Sequence, residues 1–396
     1  MFFTKKHKIF QRLLQFLTIV MLCLITTLTS ASAQELFQSI SPNLTYIETD
    51  NDYDTRALNS TLYVSEDEIW YSGVSYTSGS WFVRTNRTGE IVFERTFADA
   101  PGENPVIHCI AKVDDAMMFG FIDGDKQDGS IGVMGNVEDK VTYYTIDSNI
   151  NVTSMTAAPN GILLLGVQYN LDKNVSSLYT SLITPSGKTA FEIKELVTVD
   201  MNTDAYTLAS SRGIASAKGY FVQLNVGREP QRVQPGRYLI GFDLEGNEQW
   251  RIVLPDEFSV QGLSASDDAI YLYGMTGDLD VNDTLVNHKA MVYCYKSSDG
   301  SERWHQSFET VDKFYYSNAD NNGCAACTGL NDGAGSWIIC SWTADGTLEN
   351  YQQTAFTEPV TIRGIFLTED KNVMVLGSLG SSEAYDKRLV FFTVAR

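Results

Sequence analysis

Short apolar runs separated by polar turns recur along the chain. Ile162–Leu165 and Val373–Leu376 are examples of such runs. Runs of this length, bounded by Gly, Asp or Asn, predict β-strands rather than helices. Because the runs are continuously apolar instead of alternating, they predict strands that are buried on both faces. The pattern therefore predicts an all-β protein.

A second pattern repeats along the chain: a strand, a tight turn that ends in Gly or Asp, and an aromatic residue four positions later. The period is about fifty residues, which is typical of a four-stranded propeller blade. We expect the aromatic residue to pack between neighbouring blades, because an isolated sheet leaves its apolar faces uncovered. The instances are Gly89 with Phe93, Asp139 with Tyr143, Gly187 with Phe191, Gly246 with Trp250, Gly300 with Trp304 and, one residue late, Gly346 with Tyr351.

Upstream of these turns lies a hairpin-like unit: a short strand, a polar turn, and an apolar run that often ends at Gly. Seven copies predict an all-β, seven-bladed β-propeller of four-stranded antiparallel blades, built as a single domain from residues 34–396. The copies begin and end at Leu62 and Gly73, Ile107 and Gly120, Met155 and Gly166, Ile214 and Leu224, Leu263 and Gly274, Cys324 and Ser341, and Ile365 and Gly377.

The seventh blade lacks an outer strand. The chain ends at Arg396, directly after the predicted strand Leu389–Val394. Leu36–Ile47 has β character, and we predict that this mature N-terminal segment completes the last blade. Pairing the two termini would cover an open sheet edge and an apolar seam.

The first 33 residues read as an export signal. Four basic residues precede an uncharged stretch from Leu13 to Gln34, and Ala31 and Ala33 form an A-x-A cleavage site. A retained membrane anchor is the alternative. With residues 1–33 removed as a signal peptide, we expect the protein to be secreted, at the cell surface or periplasmic, with no membrane span. The basic residues are Lys5, Lys6, Lys8 and Arg12.

Charge excludes one class of partner. The chain has 29 Lys and Arg against 49 Asp and Glu, a net charge of −20. Nucleic-acid binding depends on a basic footprint, so a nucleic-acid partner is not expected. Apolar residues make up 43% of the chain, which is typical of a globular protein with a large core.

Cys324 and Cys327 form a C-x-x-C motif that the strand pattern places on one strand. Residues three apart on a strand point to opposite faces, so we expect buried thiols rather than a shared metal. A disulfide between Cys324 and Cys340 is an alternative, provided that the hairpin turns near Asp332 and brings the two residues opposite each other.

Two polar loops are candidate binding sites. Oxygen ligands closely spaced on a tight loop are the kind that Ca²⁺ prefers, although Asp and Asn also favour plain hairpin tips. The metal candidates are Asp278, Asp280, Asn282 and Asp283, and a similar group is Asp123, Asp125 and Asp128. No cofactor other than this Ca²⁺ is expected.

The segment Gly227–Arg237 places three arginines on a loop stiffened by two prolines, in an otherwise acidic chain. Three guanidinium groups could bind a carboxylate or sulfate. An ordinary solvated loop is the alternative. The candidate ligand-binding residues are Arg228, Arg232 and Arg237.

The segment Phe242–Trp250 follows the order apolar, Asp, two residues, Gly, three residues, Trp, and Tyr295–Trp304 follows it with one insertion. This order resembles the repeat of PQQ-like, quinoprotein-type β-propellers. The resemblance implies seven or eight blades. The adjacent Cys-Cys pair of the quinone-dependent dehydrogenases is absent from this sequence. The resemblance therefore assigns no cofactor-binding or catalytic residue to this chain. Many members of that family are assembly or binding scaffolds.

The function expected from these observations is a non-catalytic binding or scaffold module for an extracellular protein or glycan, on an end face or in the channel. The alternative is a carbohydrate-active or quinone-dependent enzyme with carboxylates in the central channel. A Ca²⁺-stabilised surface protein is a third hypothesis. His108, His288 and His305 lie in three different predicted blades, so a histidine-based catalytic cluster is not expected.

Overall fold

The computed structural model describes most of the predicted domain. The predicted signal peptide, residues 1–33, lies outside the described residues. No helix in the described part of the chain has the length and apolar character to span a bilayer. The described residues are 37–47, 63–65, 67–75, 79–124, 126–135, 140–146, 149–200, 211–226, 236–279, 285–330, 336–356, 360–370, 372–379 and 389–396.

The protein is a seven-bladed β-propeller of four-stranded antiparallel sheets, as the repeats predict. Blades one to six are each formed by four consecutive strands. Blade one contains β3 (Tyr63–Val64), β4 (Glu68–Ser75), β5 (Gly79–Asn86) and β6 (Ile91–Thr96). Blade two contains β7 (Pro105–Val113), β8 (Ala116–Asp123), β9 (Gly129–Met134) and β10 (Val141–Thr145). Blade three contains β11 (Asn151–Ala158), β12 (Gly161–Asn170), β13 (Val175–Ile183) and β14 (Thr189–Asp200).

The remaining blades continue the same order. Blade four contains β15 (Arg212–Ser216), β16 (Gly219–Val226), β17 (Gly236–Phe242) and β18 (Glu248–Leu254). Blade five contains β19 (Phe258–Ala265), β20 (Ala269–Leu279), β21 (Leu285–Lys296) and β22 (Glu302–Phe308). Blade six contains β23 (Tyr316–Asp320), β24 (Gly323–Gly329), β25 (Trp337–Thr343) and β26 (Leu348–Thr354). Blade seven contains β27 (Val360–Leu367), β28 (Asn372–Leu379) and β29 (Leu389–Ala395).

The first strand of each of blades two to seven is the innermost. From β7 through β11, β15, β19 and β23 to β27, each first strand packs against the first strand of the next blade, so these strands surround the central axis. The core lies in the seams between blades. Each of seven buried apolar clusters combines side chains from two adjacent blades, and one of them joins blade seven to blade one.

The repeated Gly turns connect the third strand to the fourth. Gly246, Gly300 and Gly346 all have positive φ, a backbone conformation that favours glycine. The Trp250 indole N–H donates to the Ser297 carbonyl of blade five at 2.9 Å, and the Trp304 indole N–H donates to the Ala344 carbonyl of blade six at 3.1 Å. The prediction that the repeated aromatic residue packs between blades is confirmed at these two positions.

The N-terminal segment is divided between two blades, so the prediction that all of Leu36–Ile47 joins blade seven is wrong in part. β1 (Phe37–Ile40) pairs in parallel with β26 as a fifth strand of blade six. β2 (Thr45–Ile47) pairs antiparallel with β29. Ile40 and Leu44 pack on the apolar cluster between the two blades. That this segment holds the ring closed stays a prediction.

Arg396 joins blade seven to blade six. Its side chain is 4% exposed, and its guanidinium lies 3.1 Å from an Asp320 carboxylate oxygen and 2.9 Å from one of Glu349. It also donates to the Trp342 carbonyl at 3.2 Å. The C-terminal side chain thus fixes three groups of the neighbouring blade.

Replacing Arg396 with Met is expected to lower the free energy of unfolding by about 2 kcal/mol, because it leaves two carboxylates close together without their cation. Urea denaturation measures the change. Arg251→Met is the matched control, since Arg251 pairs with Glu248 at a site where both side chains are partly exposed. That control is expected to cost about 0.5 kcal/mol or less. Equal losses in the two variants would contradict the prediction.

Candidate functional site

Four of the first strands contain one extra residue. The pairing register shifts by one at His108 in β7, at Thr153 in β11, at Gln261 in β19 and at Arg363 in β27. Such a β-bulge leaves the extra residue out of the ladder and redirects its side chain. All four bulges place a polar residue on the strand nearest the axis.

The residues on either side of a bulge show where its side chain points. Ile107 is buried in the seam between blades one and two, and Cys109 is buried in the seam between blades two and three. His108, between them, is exposed. Since no further strand lies on the inner edge of β7, a side chain that enters neither seam points toward the central channel.

The same argument applies to Arg363. Ile362 is buried in the seam between blades six and seven. Gly364 pairs with Leu376, which is buried in the seam between blades seven and one. Arg363 therefore also points toward the channel.

Arg212 and Tyr316 occupy the corresponding level in the blades without a bulge. They begin β15 and β23, opposite Gln223 and Cys327. Distance is counted along the second strand from its first paired residue. Gln223 and Cys327 lie four residues from that point in their blades, and the partners of the residues that flank the bulges lie three to five residues from it in theirs. Six first strands thus each carry one polar residue at nearly the same distance from the hairpin; of these, Tyr316 packs partly on the apolar cluster between blades six and seven, and the Thr153 hydroxyl donates to the Leu165 carbonyl at 3.4 Å. We call these residues the channel ring: His108, Thr153, Arg212, Gln261, Tyr316 and Arg363.

Two tyrosines interact with the arginines of the channel ring: Tyr316, which belongs to the ring, and Tyr273 on the second strand of blade five. A Cβ built on Gly262 would lie 2.1 Å from the Tyr273 hydroxyl, so this glycine lets the hydroxyl reach over the first strand of blade five. Burial raises the pKa of Tyr273 to about 12, and the positive charge of Arg212 opposes that shift. Burial likewise raises the pKa of Tyr316, and Arg363 opposes it. Each guanidinium therefore interacts electrostatically with a phenol group.

The described first strands carry more basic than acidic side chains, although the chain is acidic. The described residues of the first strands include the cations Lys112, Arg212 and Arg363 and one carboxylate, Asp320, which is paired with Arg396. His108 is exposed, yet desolvation by the surrounding protein lowers its pKa, as expected for a side chain inside a channel. A ligand at the channel ring would meet an excess of positive charge in a chain of net charge −20.

The three arginines predicted as a ligand site are described only in part. Arg228 and Arg232 lie outside the described residues. The Arg237 guanidinium donates to the Asp256 carbonyl at 3.1 Å and also to the Phe258 carbonyl. It thereby holds the connection between blades four and five. A binding role for the three arginines together stays a prediction.

The predicted metal ligands are also described in part. An Asp278 carboxylate oxygen accepts from the Asn287 amide at 2.8 Å, while Asp280, Asn282 and Asp283 lie outside the described residues. In the similar loop, Asp123 is buried and accepts the backbone N–H of Glu103 at 2.6 Å. The described residues contain no group of three or more potential metal ligands. Calcium binding stays a prediction.

The register predicted for Cys324 and Cys340 is wrong by two residues. Cys324 lies opposite Trp342, and Cys340 lies opposite Ala326. The pairing of the two strands differs by two residues from the one that a turn near Asp332 predicts. Both thiols are free and buried. Cys324 and Cys327 lie in different seams, so the expectation that they point to opposite faces is confirmed.

Five thiols are expected to be unreactive in the folded protein and fully reactive after unfolding without reductant. They are all buried, and burial raises the pKa of both Cys109 and Cys294 to about 12, so little thiolate forms at neutral pH. Titration of residues 34–396 with a colorimetric disulfide reagent, with and without denaturant, measures both states. Three reactive thiols after unfolding would reveal a disulfide and contradict this prediction. The thiols are those of Cys109, Cys294, Cys324, Cys327 and Cys340.

Sequence reasoning missed the channel ring, although a signal for it was present. The apolar run of the second strand often ends at Gly, and in the structure that Gly lies beside the bulge. A Cβ on Gly274 would lie 2.0 Å from the Ser259 carbonyl oxygen, and one on Gly377 would lie 2.5 Å from that of Thr361. The repeated Gly marks where the first strand bulges toward its neighbour.

Comparisons with solved structures support the fold. The Pan2 WD40 domain of Neurospora crassa has a TM-score of 0.54 and 11% identity, covering 91% of this chain and 98% of that one. The polysaccharide lyase Uly1 has a TM-score of 0.54 and 8% identity, covering 89% and 92%. The propeller domain of the Trilobed protease from Pyrococcus furiosus has a TM-score of 0.50 and 13% identity, covering 85% and 94%.

No protein-family model matches the sequence, and no curated protein does. The structural matches have identities of 8–13%. Similarity at this level shows the β-propeller fold and leaves the function to be argued from the site.

Proposed function

We propose that the protein is an exported β-propeller that binds an extracellular protein or glycan at the channel ring without transforming it. The observation that supports this most is the position of six polar residues, one on the first strand of each of six blades, at nearly the same distance from the hairpin. Convergent polar groups in a concave site are what a specific ligand requires.

The side chains of the channel ring favour binding over hydrolysis. Glycoside hydrolysis commonly requires two carboxylates on either side of the scissile bond. Asp320, the carboxylate of the described first strands, is paired with Arg396 and lies at the opposite end of β23 from Tyr316. The guanidinium, amide, hydroxyl and imidazole groups of the ring are suited to hydrogen bonding with a polar ligand.

The PQQ-like repeat pattern supports the same proposal. Trp250 and Trp304, the two residues on which the resemblance depends, join neighbouring blades through their indole groups. Their role is therefore in blade packing, as expected for a scaffold whose binding site lies elsewhere. We extend the family assignment to this chain as part of the proposal.

Export and binding can be tested together. The N-terminal sequence of the natural protein, recovered outside the cytoplasm, is expected to begin at Gln34. Purified residues 34–396 would then be applied to glycan and extracellular-protein arrays, and a bound ligand would be analysed by mass spectrometry after long incubation. Binding that is lost in Gln261→Leu, with the ligand mass unchanged, would support the proposal. A cleaved or oxidised ligand, or binding that Gln261→Leu leaves intact, would contradict it.

A further inference from the structure

We propose that the ligand of the channel ring is an acidic glycan, bound through sugar carboxylates that pair with Arg212 and Arg363. The inference rests on the proposed function and names the ligand class of the same site. It depends on three features of the ring: the positions of its cations, the neutral groups between them, and the contrast with the charge of the whole chain.

The two guanidinium groups lie on well-separated sides of the channel. Arg212 belongs to blade four and Arg363 to blade seven, so they are three blades apart in a ring of seven. A ligand on the axis would meet an arginine on both sides. Arginine binds a carboxylate through two parallel N–H donors, which fixes orientation as well as charge.

The neutral members of the ring suit a ligand rich in hydroxyl groups. Gln261 and Tyr316 lie on the two blades between the arginines, and Thr153 and His108 lie on blades three and two. Amide, hydroxyl and imidazole groups donate to and accept from sugar hydroxyls. None of the six ring residues is aliphatic, and the aromatic ring of Tyr316 is the main apolar surface among them, which favours a glycan over an acidic peptide with aliphatic side chains.

The Tyr316 phenol group adds to this preference. Tyr316, which is half-buried, interacts with Arg363. Its ring and hydroxyl can contact the face and the hydroxyls of a sugar, whereas Tyr273, over Gly262, is buried in the seam between blades five and six. In a carboxylated sugar, the carboxylate can pair with the arginine while the sugar face packs on the neighbouring tyrosine ring.

The net negative charge of the chain restricts where an acidic glycan can bind. With a net charge of −20, most of the protein surface repels an acidic glycan. At physiological ionic strength this repulsion is screened beyond roughly 8 Å, whereas contact between an arginine and a carboxylate is screened much less. Binding of a polyanion is therefore expected at the basic ring and not over the outer surface.

Isothermal titration calorimetry of residues 34–396 with oligogalacturonate tests the proposal. The acid form is expected to bind, and the methyl ester of the same oligosaccharide is expected to bind at least about 10-fold more weakly, because esterification removes the charge that the arginines recognise. Arg212→Gln and Arg363→Gln are each expected to weaken binding of the acid form by about 10- to 100-fold. Circular dichroism and thermal melting would show that both variants are folded.

Arg251→Gln is the matched control, since Arg251 lies on the outer strand of blade four, and it is expected to leave binding unchanged. Equal binding of the acid and the ester, or no binding of either, would overturn the proposal. Equal or tighter binding of poly-glutamate, of a sulfated oligosaccharide or of inorganic phosphate would also overturn it, because the preferred group would then not be a sugar carboxylate. If another array ligand binds and Gln261→Leu abolishes that binding, the proposed function stands although the acidic glycan fails.

Discussion

Replacing Ile47 with Asp is expected to lower the free energy of unfolding by about 4 kcal/mol. Ile47 is fully buried in the apolar cluster that joins blade seven to blade one. It lies on β2, the outer strand that pairs with β29. A carboxylate there would lose its hydration without gaining a partner, and it would disturb both the strand pairing and the seam. Urea denaturation followed by circular dichroism measures the loss.

Val253→Asp is the matched control. Val253 also lies on the fourth strand of a blade, but its side chain is 67% exposed. The control is expected to change the free energy of unfolding by no more than about 0.5 kcal/mol. If Ile47→Asp is as stable as the control, β2 does not hold the ring together in solution, and the role assigned to the N-terminal segment is wrong.

Replacing Gly274 with Ala is expected to cost about 3 kcal/mol of stability. The added Cβ would lie 2.0 Å from the Ser259 carbonyl oxygen and 3.0 Å from the Gln261 nitrogen. Backbone at such distances has to move, and the segment that moves is the bulge that directs Gln261 toward the channel. The same substitution is therefore expected to weaken ligand binding at the channel ring as well as to lower the melting temperature.

Gly135→Ala is the control for this substitution, because nothing lies within 4 Å of a Cβ built at Gly135. It is expected to be neutral or slightly stabilising. If Gly274→Ala has the same melting temperature as Gly135→Ala, the inner strand of blade five accommodates a side chain at this point. The close approach of the two strands at the bulge would then not be required by the fold.

The number of blades could be predicted from the sequence because each blade repeats a local signal. The turns at Gly246, Gly300 and Gly346 need positive φ, and the aromatic residue that follows packs on the next blade. Both requirements act on residues within about ten positions of each other, so the repeat can be recognised in a single sequence. Seven repeats of a unit that cannot bury its own faces favour a closed ring.

The division of the N-terminal segment could have been predicted from Ser41-Pro42-Asn43, a turn-forming group in the middle of Leu36–Ile47. The parallel pairing of β1 with β26 of blade six could not be predicted, because it depends on the position of the segment relative to the seam between blades six and seven. The register of Cys324 and Cys340 was missed for a related reason. Several turn-forming residues follow Leu330, and a turn centred one residue later moves every cross-strand pair by two.

The channel ring depends on the pairing of strands and not on the order of residues. Arg363 and Gln261 look like ordinary members of a strand until the register shows that each is an extra residue. The repeated Gly at the end of the second strand marks the position, but its cause is visible only when the neighbouring backbone is in place. For the same reason, the basic lining could not be inferred from a chain with 20 more acidic than basic residues.

A crystal structure of residues 34–396 bound to oligogalacturonate is the most direct test of the central claim, which is that the ring on the axis is the binding site. We expect density for the sugar on the channel axis, with carboxylate oxygens within hydrogen-bonding distance of Arg212 and Arg363, about 3 Å. Density for the sugar at the rim, or inner-strand bulges whose side chains enter the seams instead of the channel, would contradict the account.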